Sequence, residues 1–219
     1  MRLFVAGATG ATGQVFIPMA TAAGLDLVLH VRPQSAAKLT DPRARVFDLA
    51  DAAALAEAMR GCDAVLSLVG TMRHRFDSGD TYASADVGST RQLVAGAQAA
   101  HVPRFLLLSS MGAGGAGAYL KMKGECEQIV RDSGLEWDIF RPSALVSPED
   151  GPESHHGRRR VPPGTLALGA ALRKLPGLTG IVDDYRAIPL EVLCRGFLAV
   201  LARPAGRRDY AGRDLWGME

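Results

Sequence analysis

The sequence is poor in the features that staple a protein, charge it strongly or embed it in a membrane. It has only three cysteines in 219 residues. Cys62, Cys126 and Cys194 are widely separated and odd in number, which excludes a disulfide framework and a zinc site of closely spaced ligands. They read as small core residues in a reducing compartment. The net charge is only +2. Such a weak field does not gather nucleic acid or an anionic membrane surface, so neither is expected as a partner. No apolar run approaches the roughly 20 residues of a membrane span. The apolar start at Met1–Gly7 is too short for a signal peptide and runs into a glycine-rich turn, so the expected location is cytoplasmic.

What is present suits a globular domain. Hydrophobic residues make up 47% and charged residues 22% of the chain. The length fits one α/β domain spanning 1–219 better than two. Short apolar runs at 2–6, 27–31, 44–47, 64–69, 104–108 and 137–140 read as strands. Between them, 14–23, 52–59, 84–100 and 119–131 read as helices. The strand at 104–108 is apolar on both faces, which implies parallel pairing under covering helices. The rhythm of strand and helix predicts a doubly wound, Rossmann-type parallel sheet with helices on both faces. Residues 143–164 read as a long loop rich in Pro, Gly, Ser, His and Arg, followed by helices near 165–174 and 190–202. Residues 143–219 are expected to form a small substrate-side cap on the same domain.

The first strand runs directly into Gly7-Ala8-Thr9-Gly10-Ala11-Thr12-Gly13, which opens the first helix. One glycine must turn tightly, one must let backbone approach a phosphate, and one must let helix and strand pack closely. The helix N-terminus then offers free N–H groups and the positive end of its dipole to a pyrophosphate. This placement predicts dinucleotide binding. At the end of the second strand, a site for NAD usually carries an acidic residue for the ribose 2′-hydroxyl. Here the sequence is His30-Val31-Arg32-Pro33. Arg32 suits the 2′-phosphate of NADP(H) instead.

Tyr119 and Lys123 share a helix face. A Tyr hydroxyl can protonate a carbonyl oxygen while hydride arrives at carbon, and a nearby ammonium supports it and can hold the nicotinamide ribose. Ser109 and Ser110 end the fifth strand at the carboxyl edge of the sheet, where a hydroxyl could bind the same oxygen.

These residues carry a resemblance. Gly7-x-x-Gly10-x-x-Gly13, Asp86-Val87-Gly88-Ser89-Thr90, Phe105 to Ser110, Tyr119-x-x-x-Lys123 and Arg141-Pro142-Ser143 resemble the short-chain dehydrogenase/reductase superfamily. Within it they are most similar to the extended and atypical branches, notably small NAD(P)H-binding proteins of the Tat-interacting-protein and NmrA-like kinds. The resemblance implies that Gly7, Thr9, Gly10, Ala11, Thr12 and Gly13 line the diphosphate. It implies that Arg32 holds the 2′-phosphate, Asp48 and Leu49 flank the adenine, and Leu68, Val69 and Gly70 pass beneath the ribose. It makes Ser110, Tyr119 and Lys123 the catalytic triad and places Pro142 near the carboxamide.

Other features carry less. His74, His155 and His156 have no third ligand at metal-binding spacing, so no metal is expected. Arg158-Arg159-Arg160 reads as a solvated loop. The loop 71–80 and the loop 143–164 are expected to shape a pocket for a small-molecule substrate. The leading expectation is an NADP(H)-dependent oxidoreductase acting on a small carbonyl or alcohol. A non-catalytic NADP(H)-binding redox sensor is one rival, motivated by the short, glycine-rich link 111–117 between Ser110 and Tyr119. A nucleotide-sugar epimerase or dehydratase is another, for which the chain is short. Monomer and homodimer are both open.

Overall fold

A computed structural model describes residues 1–70, 86–146 and 184–218. The chain order is β1 (Arg2–Ala6), α1 (Ala11–Ala22), β2 (Asp26–Val31), a 3-10 turn (Pro33–Lys38), β3 (Ala44–Val46), α2 (Ala52–Met59) and β4 (Ala64–Ser67). Then come α3 (Gly88–Ala99), β5 (Arg104–Leu108), α4 (Ala118–Arg131), β6 (Glu136–Arg141) and β7 (Leu145–Val146). The described chain closes with β8 (Ile188–Pro189), α5 (Leu190–Leu201), β9 (Arg207–Ala211) and α6 (Arg213–Trp216).

Seven strands form one sheet in the order β3-β2-β1-β4-β5-β6-β9, and every neighbouring pair is parallel. β7 and β8 form a separate small pair. Parallel strands need crossovers, and the helices supply them on both faces. Alternation along β1 shows the result. Leu3 and Val5 join one core with Phe16 of α1 and Phe197 of α5, while Phe4 and Ala6 join the other with residues of α2, α3 and α4. Phe197 touches both Phe16 and Phe140 edge-on, at centroid distances of 5.9 and 4.6 Å, and so fastens α5 to the sheet. At the opposite end of the sheet from the glycine loop, Arg104 and Asp138 form a buried pair at 2.7 Å, and Tyr210 of β9 donates to Asp138 at 3.2 Å.

The doubly wound sheet expected from sequence is the observed fold. Several boundaries differ. α1 begins at Ala11, not Gln14, because the glycine loop itself winds into the first turn. β4 ends at Ser67, not Val69, because the chain leaves the sheet to cross the carboxyl edge. β9 has no counterpart among the expected strands. It is an edge strand, largely exposed along Arg207-Arg208-Asp209, and lacks the apolar run that marks a buried one. Residues 190–211 of the expected cap region thus contribute a helix and a strand to the main layers. The loop 71–80, the start of the helix expected at 84–100, most of the loop 143–164 and the helix expected at 165–174 lie outside the described residues. Among the described residues, no helix is long and apolar enough to cross a membrane.

Candidate functional site

The strand order reverses at β1 and β4, and open parallel sheets bind ligands above the carboxyl ends of strands at such a point. A cavity of about 340 Å³ opens there. The N-terminus of α1 forms one wall, through Gly10, Ala11 and Thr12. Leu68, Val69 and Gly70 after β4 form a second. Ser109 and Ser110 after β5, Tyr119 and Lys123 of α4, and Pro142 after β6 complete the polar side. Leu108, Leu145 and Leu190 make the rest apolar.

The α1 wall is made of backbone. Gly7 has φ +89°, and a Cβ there would stand 2.8 Å from the Leu68 carbonyl carbon and oxygen. A Cβ on Gly13 would stand 2.6 Å from the carbonyl oxygens of both Gly7 and Ala8. These two glycines let strand, turn and helix close on one another. Gly10 differs, since its Cβ would meet only the Gly7 oxygen, at 3.2 Å. No side chain caps α1 at Gly10, and no acidic residue lies in its first turn. The free N–H groups and positive dipole end therefore face the cavity, as a diphosphate requires. Thr9 lies within the same loop, and Gly13 is buried behind it.

The opposite wall is made of side chains that hold each other. Lys123 is buried, at 4% exposure, so its ammonium needs partners. It faces the Asp86 carboxylate at 3.6 Å and donates to the Leu108 carbonyl at 3.4 Å. A Cβ on Gly70 would lie 3.9 Å from Lys123 Nζ, so the ammonium stands against the chain leaving β4. Asp86 precedes α3, and its carbonyl accepts from Thr90 Oγ1 at 2.8 Å.

Tyr119 sits in the first turn of α4, partly exposed at the cavity. The link from Ser110 is short, and it closes by folding back along α4. Gly114 N–H donates to the Leu120 carbonyl at 2.7 Å, and a Cβ on Gly124 would lie 2.6 Å from Gly114 Cα. Gly112, Gly114 and Gly117 take positive φ of 78°, 85° and 96°, which only glycine adopts readily. The glycine-rich link thus brings Ser110 and Tyr119 to one cavity. The two serines divide their work. Ser109 donates its hydroxyl to Glu127 at 2.5 Å, while Ser110 Oγ makes, among the described residues, a long 3.4 Å contact with the Met111 carbonyl.

Glu127 is the buried anchor behind this wall. Arg141 donates to both its oxygens, at 2.8 and 2.5 Å. Burial opposes ionisation of Glu127, but the hydrogen bonds from Arg141 and Ser109 outweigh it and hold the carboxyl below its usual range. Arg131 extends the cluster to Asp209 of β9 at 2.7 Å. Sequence reasoning assigns no role to the side chains of Asp86 and Glu127. Asp86 opens the Asp86-Val87-Gly88-Ser89-Thr90 motif, and Glu127 lies one turn beyond Lys123 on the same buried face, which was the available signal.

Arg32, Asp48 and Leu49 lie apart from this cavity, past the ends of β2 and β3. Arg32 caps the 3-10 turn, and its carbonyl accepts from Ser35 N–H at 2.8 Å. Asp48 is partly spent on its own turn, accepting from Ala50 N–H at 2.9 Å, and Leu49 is buried in the core. Beneath them His30 packs between Phe4 and Phe47 and contacts the Phe47 carbonyl at 3.0 Å. Burial pushes the His30 imidazole below its usual pKa, with the Arg32 charge adding to the shift.

A family model described as NAD(P)H-binding matches residues 7–169. The chain belongs to this NAD(P)H-binding family. No curated protein sequence matches it. Among solved structures it is similar to a dTDP-glucose 4,6-dehydratase of Streptomyces venezuelae solved with NAD bound. That match has 21% identity and a TM-score of 0.69, covering 96% of this chain and 74% of that one. It is also similar to an anaerobillin reductase of Escherichia coli O157:H7, at 16% identity and a TM-score of 0.66, covering 96% and 95%. An oxidoreductase of Lactococcus lactis matches at 21% identity and a TM-score of 0.54, covering 67% and 70%. The protein is thus an NAD(P)H-binding protein with a Rossmann-type fold.

Proposed function

We propose that this protein is an NADP(H)-dependent reductase of a small carbonyl compound. The observation that carries the reading is one cavity of about 340 Å³ that Ser110, Tyr119 and Lys123 share with the open N-terminus of α1. When bound, the reduced dinucleotide supplies the hydride. The first-turn N–H groups of α1 hold its diphosphate. Arg32 pairs with the 2′-phosphate, flanked by Asp48 and Leu49 on the adenine side. Lys123 donates to the ribose hydroxyls of the nicotinamide half, and Pro142 borders the carboxamide. Ser110 donates a hydrogen bond to the substrate carbonyl oxygen, and Tyr119 delivers its phenolic proton to that oxygen as charge develops there. Ser109 is engaged with Glu127, which leaves Ser110 as the serine available to the substrate. Leu108, Leu145 and Leu190 give the substrate an apolar seat.

The test is NADPH consumption with a panel of small aldehydes and ketones. Wild type is expected to turn over at least one. Tyr119→Phe should lower kcat by about 100-fold or more while dinucleotide affinity stays within about threefold. Equal turnover by the variant would sink the mechanism. Tight dinucleotide binding with no turnover across the panel would favour a redox-sensing role instead.

A further inference from the structure

The end of β5 carries an unspent main-chain donor at the cavity. In an extended chain, consecutive residues aim their backbone groups at opposite neighbouring strands. Glu136 N–H donates to the Pro103 carbonyl at 3.0 Å, Ser109 N–H to the Phe140 carbonyl at 2.7 Å, and Met111 N–H to the Pro142 carbonyl at 2.8 Å. Pro103, Ser109 and Met111 therefore face β6. Leu108 faces the other way. Its carbonyl accepts from Lys123 Nζ at 3.4 Å, and a Cβ on Gly70, in the chain leaving β4, would lie 3.9 Å from that Nζ. Ser110 is the next residue on the β4 side. Its N–H lies opposite the Ser109 carbonyl across a planar trans peptide, and so points away from β6. Pairing of β4 with β5 ends at Ser67 and Leu107, short of this N–H. Among the described residues the Ser110 N–H has no hydrogen-bond partner, while the Ser110 carbonyl accepts from Ala113 N–H at 3.1 Å. Ser110 is only partly buried and lines the cavity.

We propose that the main-chain N–H of Ser110 is a second donor to the substrate carbonyl oxygen, beside the Ser110 hydroxyl. The inference rests on the reductase reading above. One residue then gives two donors to one oxygen, and Tyr119 gives the third. The N–H keeps its proton throughout. The carbonyl carbon accepts hydride from the reduced dinucleotide, and the oxygen takes the Tyr119 proton. Negative charge gathers on that oxygen on the way, and a donor already in place stabilises it without reorganising. This donor is held in place from both sides, because Ser109 and Met111 are tied to β6. Ser109 is tied again by its hydroxyl on Glu127. A side-chain donor must lose rotamer freedom to do the same, and a main-chain N–H does not.

The experiment removes this N–H alone. Ser110→Ala is compared with the same full-length variant carrying lactic acid at position 110. That exchange turns the 109–110 amide into an ester and takes away only the N–H. It also weakens the Ser109 carbonyl as an acceptor, but the residue opposite that carbonyl is Pro142, which has no N–H to offer it. Both proteins are assayed for NADPH-dependent reduction of the best aldehyde or ketone, for NADPH affinity by calorimetry, and by thermal melts. Ser110→Ala should keep measurable turnover, because the N–H remains. The ester should lower kcat/KM by a further factor on the order of 100. NADPH affinity should stay within about twofold. Melting should hardly change, whereas the matching exchange at position 111, which removes the bond to Pro142, should lower it by about 2 to 4 °C. Equal kcat/KM for amide and ester overturns the proposal. So does complete inactivity of Ser110→Ala with NADPH still bound. A melting loss at position 110 as large as that at 111, or failure of the ester to fold, overturns it by showing the N–H bonded within the fold. A loss of NADPH affinity in step with kcat/KM overturns it by giving the donor to the dinucleotide. Wild type that binds NADPH but reduces no carbonyl overturns the reductase reading together with the proposal. Turnover by wild type with no difference between amide and ester overturns the proposal alone.

Discussion

The two walls of the cavity are built from different material. On the α1 side, the surface that meets a ligand is main chain, and Gly7 and Gly13 are there because a Cβ would strike carbonyl groups at 2.8 and 2.6 Å. On the α4 side, the surface is largely side chains, two of them held by partners from elsewhere in the chain: Lys123 by Asp86, and Ser109 by Glu127. The first wall depends on residues that must be absent in bulk. The second depends on residues that must be present in pairs. Substitutions should therefore fail differently on the two sides.

The largest expected effect is on the side-chain wall. Glu127→Ala removes the carboxylate that Arg141 grips at 2.8 and 2.5 Å and that accepts from Ser109. The partly buried Arg141 guanidinium keeps the Asp209 carboxylate at 3.9 Å but loses both of its short bonds to Glu127, at a cost of about 3 to 4 kcal/mol. The pH dependence checks the cause. The folded state holds Glu127 below its ordinary value of 4.5, so near and below that value the unfolded chain binds more protons. The stabilisation is complete above the ordinary value and is lost as pH falls through the folded one. Denaturant unfolding should show a wide gap between wild type and variant at neutral pH that narrows in acid. A gap of constant width would assign the loss to packing and not to the charge.

The backbone wall allows a finer cut. Gly13→Ala drives a methyl onto the carbonyl oxygens of Gly7 and Ala8, which are main-chain atoms and cannot swing aside. Stability should fall by about 3 kcal/mol, and dinucleotide binding should go with it. Gly10→Ala meets only the Gly7 oxygen, at 3.2 Å, and otherwise enters open space. It should cost under about 1 kcal/mol of stability while still weakening dinucleotide binding, because Gly10 lines the cavity. Thermal melts with calorimetry on both variants separate the two. Similar melting losses for Gly10 and Gly13 would break the distinction between a packing glycine and a binding glycine.

The same contrast explains what the sequence made legible. The glycine spacing and the apolar strands β1, β2, β4, β5 and β6 were readable because each is a local pattern with a local cause. Lys123 and Tyr119 were readable as one helix face for the same reason. Asp86 and Glu127 gained their roles only when distant elements came together, and no spacing announces a partner across the sheet. β9 escaped because an edge strand keeps one side wet, and Arg207-Arg208-Asp209 carries no hydrophobic signature. The glycine-rich link 111–117 was visible as short. That it lies back along α4 at Gly124 depends on packing that composition does not encode.

Arg32 tests whether the adenine side behaves like either wall. It stands away from the cavity at the cap of the 3-10 turn, and its backbone is tied by Ser35. Thermal melts of the variant separate any effect on the fold from the effect on binding. Arg32→Ala should weaken NADPH by roughly tenfold, about 1.4 kcal/mol, the scale of one charge-assisted contact. NADH lacks the 2′-phosphate, so its affinity should stay within about twofold. The effect is expected to be smaller than the others because Arg32 is only partly buried, where water competes for the phosphate it would hold. Equal losses for NADPH and NADH would show that Arg32 supports the adenine pocket generally. Any preference for NADP(H) would then have to come from other residues around the ends of β2 and β3.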